Sequence, residues 1–294
     1  MPPGGPRGLL RVYAPYLRHA EGEDRLVNFI AVEPVPAGQP HRGLSELEHS
    51  KLDGVRGKRF WSTDKPEDPE PRHSDRPARG EVVKLDGVEA LRVYVGVERF
   101  DNGAHVYVRL TFRADRPHEV GVAALAREDS VPLAHCVLTA TMGNYARLRK
   151  LHLADGRVAT STELWPDYRD DGFAPHAKFP LAELTRTPDG HATVSATPDE
   201  ADPEQATYAP GTKSHWKYTG LVATQTWRSE GPHEKLEAWV NGRYTYWASR
   251  APIPGGISFE NFEMVAPFRQ AEEFWFGVKP GVLPDAAGKD RGSG

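Results

Sequence analysis

The sequence predicts an all-β fold, a jelly-roll β-sandwich with long loops and at most one or two short helices. Three observations carry this. Apolar and polar residues alternate strictly over short stretches, the period of a strand with one buried face. Clusters of Gly, Pro, Asn and Asp interrupt those stretches, in a chain of 294 residues with 28 Gly and 26 Pro. Sustained helical periodicity is scarce, and strands spaced by turns favour packed sheets over helical layers.

Taken in order, the first strand falls at residues 26–32. Leu91, Val93, Val95 and Val97 then alternate with Arg92, Tyr94 and Glu98. Asp101-Asn102-Gly103 reads as the turn of a hairpin, because Asn-Gly tolerates the positive φ of a tight turn. The partner strand has Val106, Val108, Leu110 and Phe112 on one side and His105, Tyr107, Arg109 and Thr111 on the other. Further strands are expected at 119–126, 134–142, 191–196, 216–227, 235–240, 244–248, 257–264 and 273–278. Residues 45–53 stay open between helix and strand: Ser45 and Glu48 have capping-box spacing and Gly54 stands where a helix would stop. Residues 144–154, with Leu148 and Leu151 three apart, also suit a helix, but they sit among strands and are taken as one. Residues 63–80 and 198–213, dense in Pro and charge, read as exposed loops or flaps. No linker divides the chain, so residues 1–283 are expected to form one domain and residues 284–294 a disordered tail.

Composition excludes several function classes. With 37 Lys and Arg against 41 Asp and Glu, the net charge is −4, which argues against a general nucleic-acid binder. The lone Cys136 allows neither an intrachain disulfide nor a Cys-based zinc site. No apolar run approaches the roughly 18 residues of a membrane span. The opening Met1-Pro2-Pro3-Gly4-Gly5-Pro6 lacks the apolar stretch of a secretory signal. The chain is therefore expected to be cytoplasmic, or extracellular or periplasmic if a leader was removed. There is no phosphate-binding glycine loop, nucleophile elbow or dinucleotide fingerprint.

The strand faces opposite the apolar positions carry large amphipathic groups: Arg92 with Tyr94, Tyr107 with Arg109, His135 with Thr139 and Thr141, Tyr145 with Arg147 and Arg149, His215 with Lys217, and Glu237 with Trp239. Rings stack on sugar faces and guanidinium forks grip carboxylates or sulfates. The expected partner is a polysaccharide, with an acidic one favoured by the arginines. Covering of this face by another element, or a protein partner, would account for the same residues.

The segment Trp239-Val240-Asn241-Gly242, preceded by alternating residues 235–238 and followed by 244–247, resembles the hairpin of concanavalin-like and laminin-G-like sandwiches. Arg42-Gly43-Leu44-Ser45-Glu46-Leu47-Glu48 loosely resembles the Arg and Glu strand of jelly-roll lyases. The resemblance implies a sugar-related role, because jelly-roll glycanases, polysaccharide lyases and carbohydrate-binding modules share that architecture.

A lyase acting by β-elimination would use Arg147 and Arg149 as a carboxylate clamp, His135 as base and Tyr107 as acid, with His215 and Lys217 in reserve. A glycoside hydrolase would need paired carboxylates, for which Glu237 and Glu260 are candidates; Glu260 and Glu263, three apart on one strand, point to opposite faces. The chain lacks both the Glu-x-Asp-x-x-Glu stretch of retaining jelly-roll glucanases and the Gln-x-His strand of alginate lyases; hydrolysis ranks behind elimination. A non-catalytic carbohydrate-binding module and a structural or adhesive sandwich are the other readings. No cofactor is implied, although Asp167, Asp170 and Asp171 beside Gly172 could hold Ca²⁺ through oxygen ligands.

Overall fold

The computed structural model describes residues 7–14, 25–66, 78–141, 143, 145–199, 208, 210–211, 223–231, 233–247 and 249–281. The strands are β1 (Leu9–Ala14), β2 (Arg25–Pro36), β3 (Phe60–Thr63), β4 (Glu81–Leu85), β5 (Val88–Val97), β6 (Val106–Arg113), β7 (Glu119–Ala126), β8 (Leu133–Thr141), β9 (Leu148–His152), β10 (Val158–Thr160), β11 (Ala177–Pro180), β12 (Thr185–Arg186), β13 (Ala192–Pro198), β14 (Ala223–Ser229), β15 (Glu237–Arg243), β16 (Ser258–Val265) and β17 (Glu273–Pro280). They form two sheets, a six-stranded one in the order β1-β2-β8-β16-β15-β11 and an eleven-stranded one in the order β10-β9-β13-β14-β17-β7-β6-β5-β3, with β12 beside β13 and β4 beside β5. The architecture is nearly all β, as alternation predicts. One short helix, α1 (Ser161–Leu164), is closed by a capping box in which Glu163 N–H donates to Thr160 Oγ1 and Thr160 N–H donates back to Glu163 Oε2.

By chain contacts the molecule groups into two compact units. The first comprises Met1–Arg11, Phe29–Ala140 and Glu263–Phe276, the second Val12–Asn28, Thr141–Phe262 and Gly277–Gly294. In the first, β5 and β6 pair antiparallel with Tyr94 opposite Arg109 and Val95 opposite Val108. The expected hairpin is present, its longer loop closed by Phe100 N–H donating to the Ala104 carbonyl and by Gly103 at φ 87°. Ala124 of β7, Cys136 and Leu138 of β8, Met264 of β16 and Phe274 of β17 line a small cavity between the layers, which fixes the inward parity of each strand. Gly96 lies opposite Trp61 of β3, and a Cβ there would stand 2.2 Å from the indole, so glycine is what lets that ring lie on the sheet.

The second unit packs around Trp227 of β14, stacked on Phe262 of β16 at 4.0 Å between ring centroids. Phe259 meets Phe262 and the indole of Trp165 edge-on. Val194 and Ala196 of β13 and Val240 of β15 complete a core with almost no exposure.

Several local expectations change. Residues 45–53 form turns, and residues 42–48 are no strand. The Ser45 hydroxyl is already committed, accepting from Val32 N–H and donating to the Gly8 carbonyl, so it caps nothing. Residues 144–154 contain a strand only at β9. Residues 244–247 turn back on themselves instead of extending, and residue 248 lies outside the described residues: Tyr246 N–H donates to the Ala251 carbonyl and Arg250 N–H to that of Tyr246, so their hydrogen bonds are spent locally. Asn241-Gly242 is no hairpin turn, because β15 runs straight through it. Gly242 serves close approach instead, a Cβ there lying 2.8 Å from the Ser258 carbonyl. Phe112 is exposed although it alternates with the core positions, since alternation marks a face and not how far the opposing layer extends. Residues 216–222, most of 198–213, residues 67–77 and the tail 284–294 lie outside the described residues.

Candidate functional site

β15 alternates from Glu237 to Val240 and is buried throughout from Val240 to Arg243. Ala238 and Val240 point into the second unit's core, so Glu237, Trp239, Asn241 and Arg243 share the opposite face. β11 pairs beside it with Lys178 opposite Trp239, and residues 173–176 continue along the same edge, Ala174 N–H donating to the Gly242 carbonyl.

At one end of this row Trp239 Nε1–H donates to Glu237 Oε2 at 2.7 Å, which fixes the indole on the face. The Lys178 ammonium lies 3.8 Å from the ring centroid, and the His176 ring 6.0 Å away. Asn241 sits next along the strand. Its Oδ1 accepts from Asn261 N–H at 3.2 Å, which turns its amide N–H toward His176 Nε2 at 3.3 Å. That nitrogen accepts, so the His176 proton resides on Nδ1. At the other end Phe173 and Trp247 stack at 6.0 Å with an interplanar angle of 20°. They are 42% and 52% exposed. The Arg243 guanidinium lies 5.0 Å from each of these rings and donates through Nε to the Thr245 carbonyl. Arg169 covers Tyr244 nearby, and burial together with Asp170 raises the Tyr168 hydroxyl's pKa. The row therefore carries aromatic rings at both ends, with an ammonium over the half-buried Trp239 ring and an imidazole and a carboxylate beside it.

The first unit holds a different cluster. Arg42 Nη1 donates to Glu263 Oε2 at 3.1 Å, and its Nη2 pairs with Glu33 and donates to Thr139 Oγ1 at 2.9 Å. The Thr139 hydroxyl donates to Glu33 Oε2 at 2.7 Å. Both carboxylates are nearly inaccessible. Burial pushes the Glu33 carboxyl up to about 7, with Arg42 opposing and Glu263 adding to the rise. Cys136 is pushed up to about 12 by burial, which leaves it a thiol. Glu33, Thr139 and Glu263 each bond or pair with the Arg42 Nη groups, and Arg42 fastens its loop to the strands.

The residues singled out in the sequence distribute as follows. Glu237 and Trp239 lie together in the β15 row. Tyr94 and Tyr107 are neighbours on the first unit, 6.3 Å apart, with Arg127 over Tyr107 and the Tyr94 hydroxyl donating to Glu81. That hydroxyl is pushed up to about 12, first by burial and then by Glu81. Arg92 lies on the same strand face as Tyr94, across from Thr111. Arg109 is held by Glu273 at 2.9 Å, which Thr111 also contacts. Tyr107 and Arg109 alternate with Ala124's side of the sheet through the β6–β7 register, and His135 alternates with Cys136. Tyr107 and His135 therefore stand on opposite outer faces of the first unit's two layers, and His135 Nδ1 donates to the Ala266 carbonyl at 2.7 Å.

In the second unit Arg147 and Arg149 are buried. Arg147 donates to the Tyr246 hydroxyl and stacks on Tyr208, while Tyr145 packs on Tyr246. Arg149 donates to Asp199 at 2.7 Å and to the Pro254 carbonyl. Glu260, once considered with Glu237, is also buried. His215 and Lys217 lie outside the described residues. Among the described residues no three His, Cys, Asp or Glu side chains are grouped to hold a metal ion, Asp167, Asp170 and Asp171 included, and no helix is long and apolar enough to cross a membrane.

Sequence reasoning missed Phe173, His176, Lys178, Asn241, Arg243 and Trp247 as site residues. For Asn241 and Arg243 the signal existed, since they continue the parity of Glu237 and Trp239 once β15 is read through Asn241-Gly242. Phe173 and Trp247 lie in turns, where periodicity is silent. Compared with known proteins, the chain matches no family model, no curated protein and no solved structure.

Proposed function

We propose that this protein binds polysaccharide through the β15 row, as a jelly-roll sandwich without a catalytic step of its own. The observation that carries the reading is the Trp239 indole, half-exposed on a strand face and fixed in orientation by Glu237. Hydrogen-bonding groups and a cation surround it, the combination that takes one face and the hydroxyl rim of a sugar ring. Binding without cleavage is favoured because the acid and base considered for β-elimination, Tyr107 and His135, stand on opposite faces and share no bond on which to act.

Affinity electrophoresis against pectate, alginate, hyaluronan, cellulose, xylan and chitin tests this. Retention on at least one polymer is expected, with Trp239→Ala weakening it by about tenfold or more and leaving thermal unfolding in place. Retention on none, or retention untouched by Trp239→Ala, overturns the reading. Release of unsaturated, ultraviolet-absorbing ends from a uronate polymer would replace binding with elimination.

A further inference from the structure

We infer that the β15 row is a two-platform site that recognises an extended saccharide chain by its length, with Trp239 as one platform and the Phe173–Trp247 pair as the other; the inference rests on the saccharide-binding reading above. Trp239 and Arg243 are four residues apart on one strand, which separates the two ends by about 13 Å at the usual rise. A single sugar ring covers one aromatic face and cannot touch both.

Phe173 and Trp247 are large apolar side chains left open on the surface, and such residues are ordinarily mobile. Here each ring lies against the other and against Arg243. Their rings are nearly parallel, and the Arg243 guanidinium lies against both while its own position is set by Thr245, through the backbone carbonyl and through Oγ1 at 3.4 Å. Ordering a contact surface in advance removes part of the entropy cost of binding. Between the platforms, Asn241 is buried and tied to Asn261 and His176. The stretch is polar and carries no large apolar side chain. An amphipathic helix would require a continuous apolar groove, which this row does not provide. A chain of hydroxylated rings meets Trp239, the exposed His176 to which buried Asn241 donates, and the Phe173–Trp247 pair in turn.

The test uses the full chain and an oligosaccharide ladder, disaccharide to octasaccharide, cut from the polymer that the affinity gels retain, with Kd by calorimetry. The wild-type protein is expected to tighten with length until both platforms are spanned and then to level off. Trp247→Ala and Phe173→Ala are each expected to weaken the longest oligomers by about three- to tenfold and to leave the shortest unchanged. Trp239→Ala should weaken all of them. Trp247→Tyr, which keeps a ring, should restore most of the loss and so separates a contact from a folding defect. If Trp239→Ala weakens binding while Trp247→Ala and Phe173→Ala leave the length dependence intact, the second platform is wrong and the binding reading stands. If no polymer is retained, or Trp239→Ala changes nothing, the binding reading itself is lost and this inference with it.

Discussion

Around Glu33 and around Trp239, strand alternation sets polar side chains on the face away from the core, and the two regions use them in opposite ways. In the first unit the carboxylates of Glu33 and Glu263 are buried beneath Arg42, and both pair with its guanidinium. In the second, Trp239, Lys178 and His176 remain accessible, and their internal bonds fix orientation without sealing the surface. The difference teaches that outward polarity alone does not mark a site. Mutual neutralisation of buried charge makes a fastening, and an oriented ring in reach of solvent makes a surface that a ligand can use.

The sharpest way to break this comparison is to remove Arg42. Arg42→Met leaves two buried carboxylates without their cation, and a loss of about 3–5 kcal/mol is expected from urea unfolding. Trp239→Ala should cost far less stability while, on the saccharide-binding reading, weakening retention. A small loss for Arg42→Met would mean that its cluster is no fastening.

The second effect is a pH dependence confined to the first region. The folded-state pKa of Glu33 is about 7 against an ordinary 4.5, so the folded protein holds this proton more tightly than the unfolded chain. The contribution is fully present below about 4.5 and is lost as pH rises through 7, amounting to about 3 kcal/mol across that window. The charged groups facing Glu33 are Arg42, Glu263 and Glu46. Burial raises Glu46 as well, which works in the same direction. The depressed carboxylates at Asp53, Asp64, Asp101, Asp115 and Asp129 act at lower pH with the opposite sign. Unfolding of Glu33→Gln, measured between pH 4.5 and 8, should show the slope flattened relative to the wild type; an equal slope would assign the dependence elsewhere.

The two regions also differ in how far the sequence reveals them. The β5–β6 pair is legible because eight alternating residues and an Asn-Gly turn point the same way, and Glu237 with Trp239 is legible for the same reason. The Glu33 cluster is not, because Arg42 and Glu263 are 221 residues apart and only the sheet order brings them together. Short edge strands such as β11, four residues long, hold too few alternations to detect, which hid Lys178. The capping pattern leaves residues 45–53 open because the Ser45 hydroxyl is drawn off by Val32 and Gly8, whereas at Thr160 the same pattern does start a helix. Local signals report what a segment can do, and competing long-range partners decide whether it does so.

A smaller effect separates orientation from burial inside the β15 row. Asn241→Ala deprives Asn261 N–H of its acceptor and is expected to cost about 1–3 kcal/mol in urea unfolding. It should also loosen the His176 tautomer preference, so that nitrogen-detected NMR, expected to show the proton on Nδ1 in the wild type, registers a mixture. An unchanged Nδ1 signal would mean that something other than Asn241 sets the ring.

The smallest expected effect is the most discriminating for the exposed region. The Lys178 ammonium sits at 3.8 Å over an indole that is itself only partly buried, so the contact competes with water on both sides. Lys178→Met keeps the aliphatic stem and removes the ammonium that lies over the ring, and a stability loss of about 0.5–1 kcal/mol is expected. If Trp239 is a sugar platform, the same variant should change the salt dependence of retention on pectate or alginate, whose charge the ammonium would meet, and leave retention on cellulose or xylan unaltered. A loss on neutral polymers as well would mean that Lys178 holds the indole in place, and the orientation of Trp239 would then depend on its β11 neighbour as much as on Glu237.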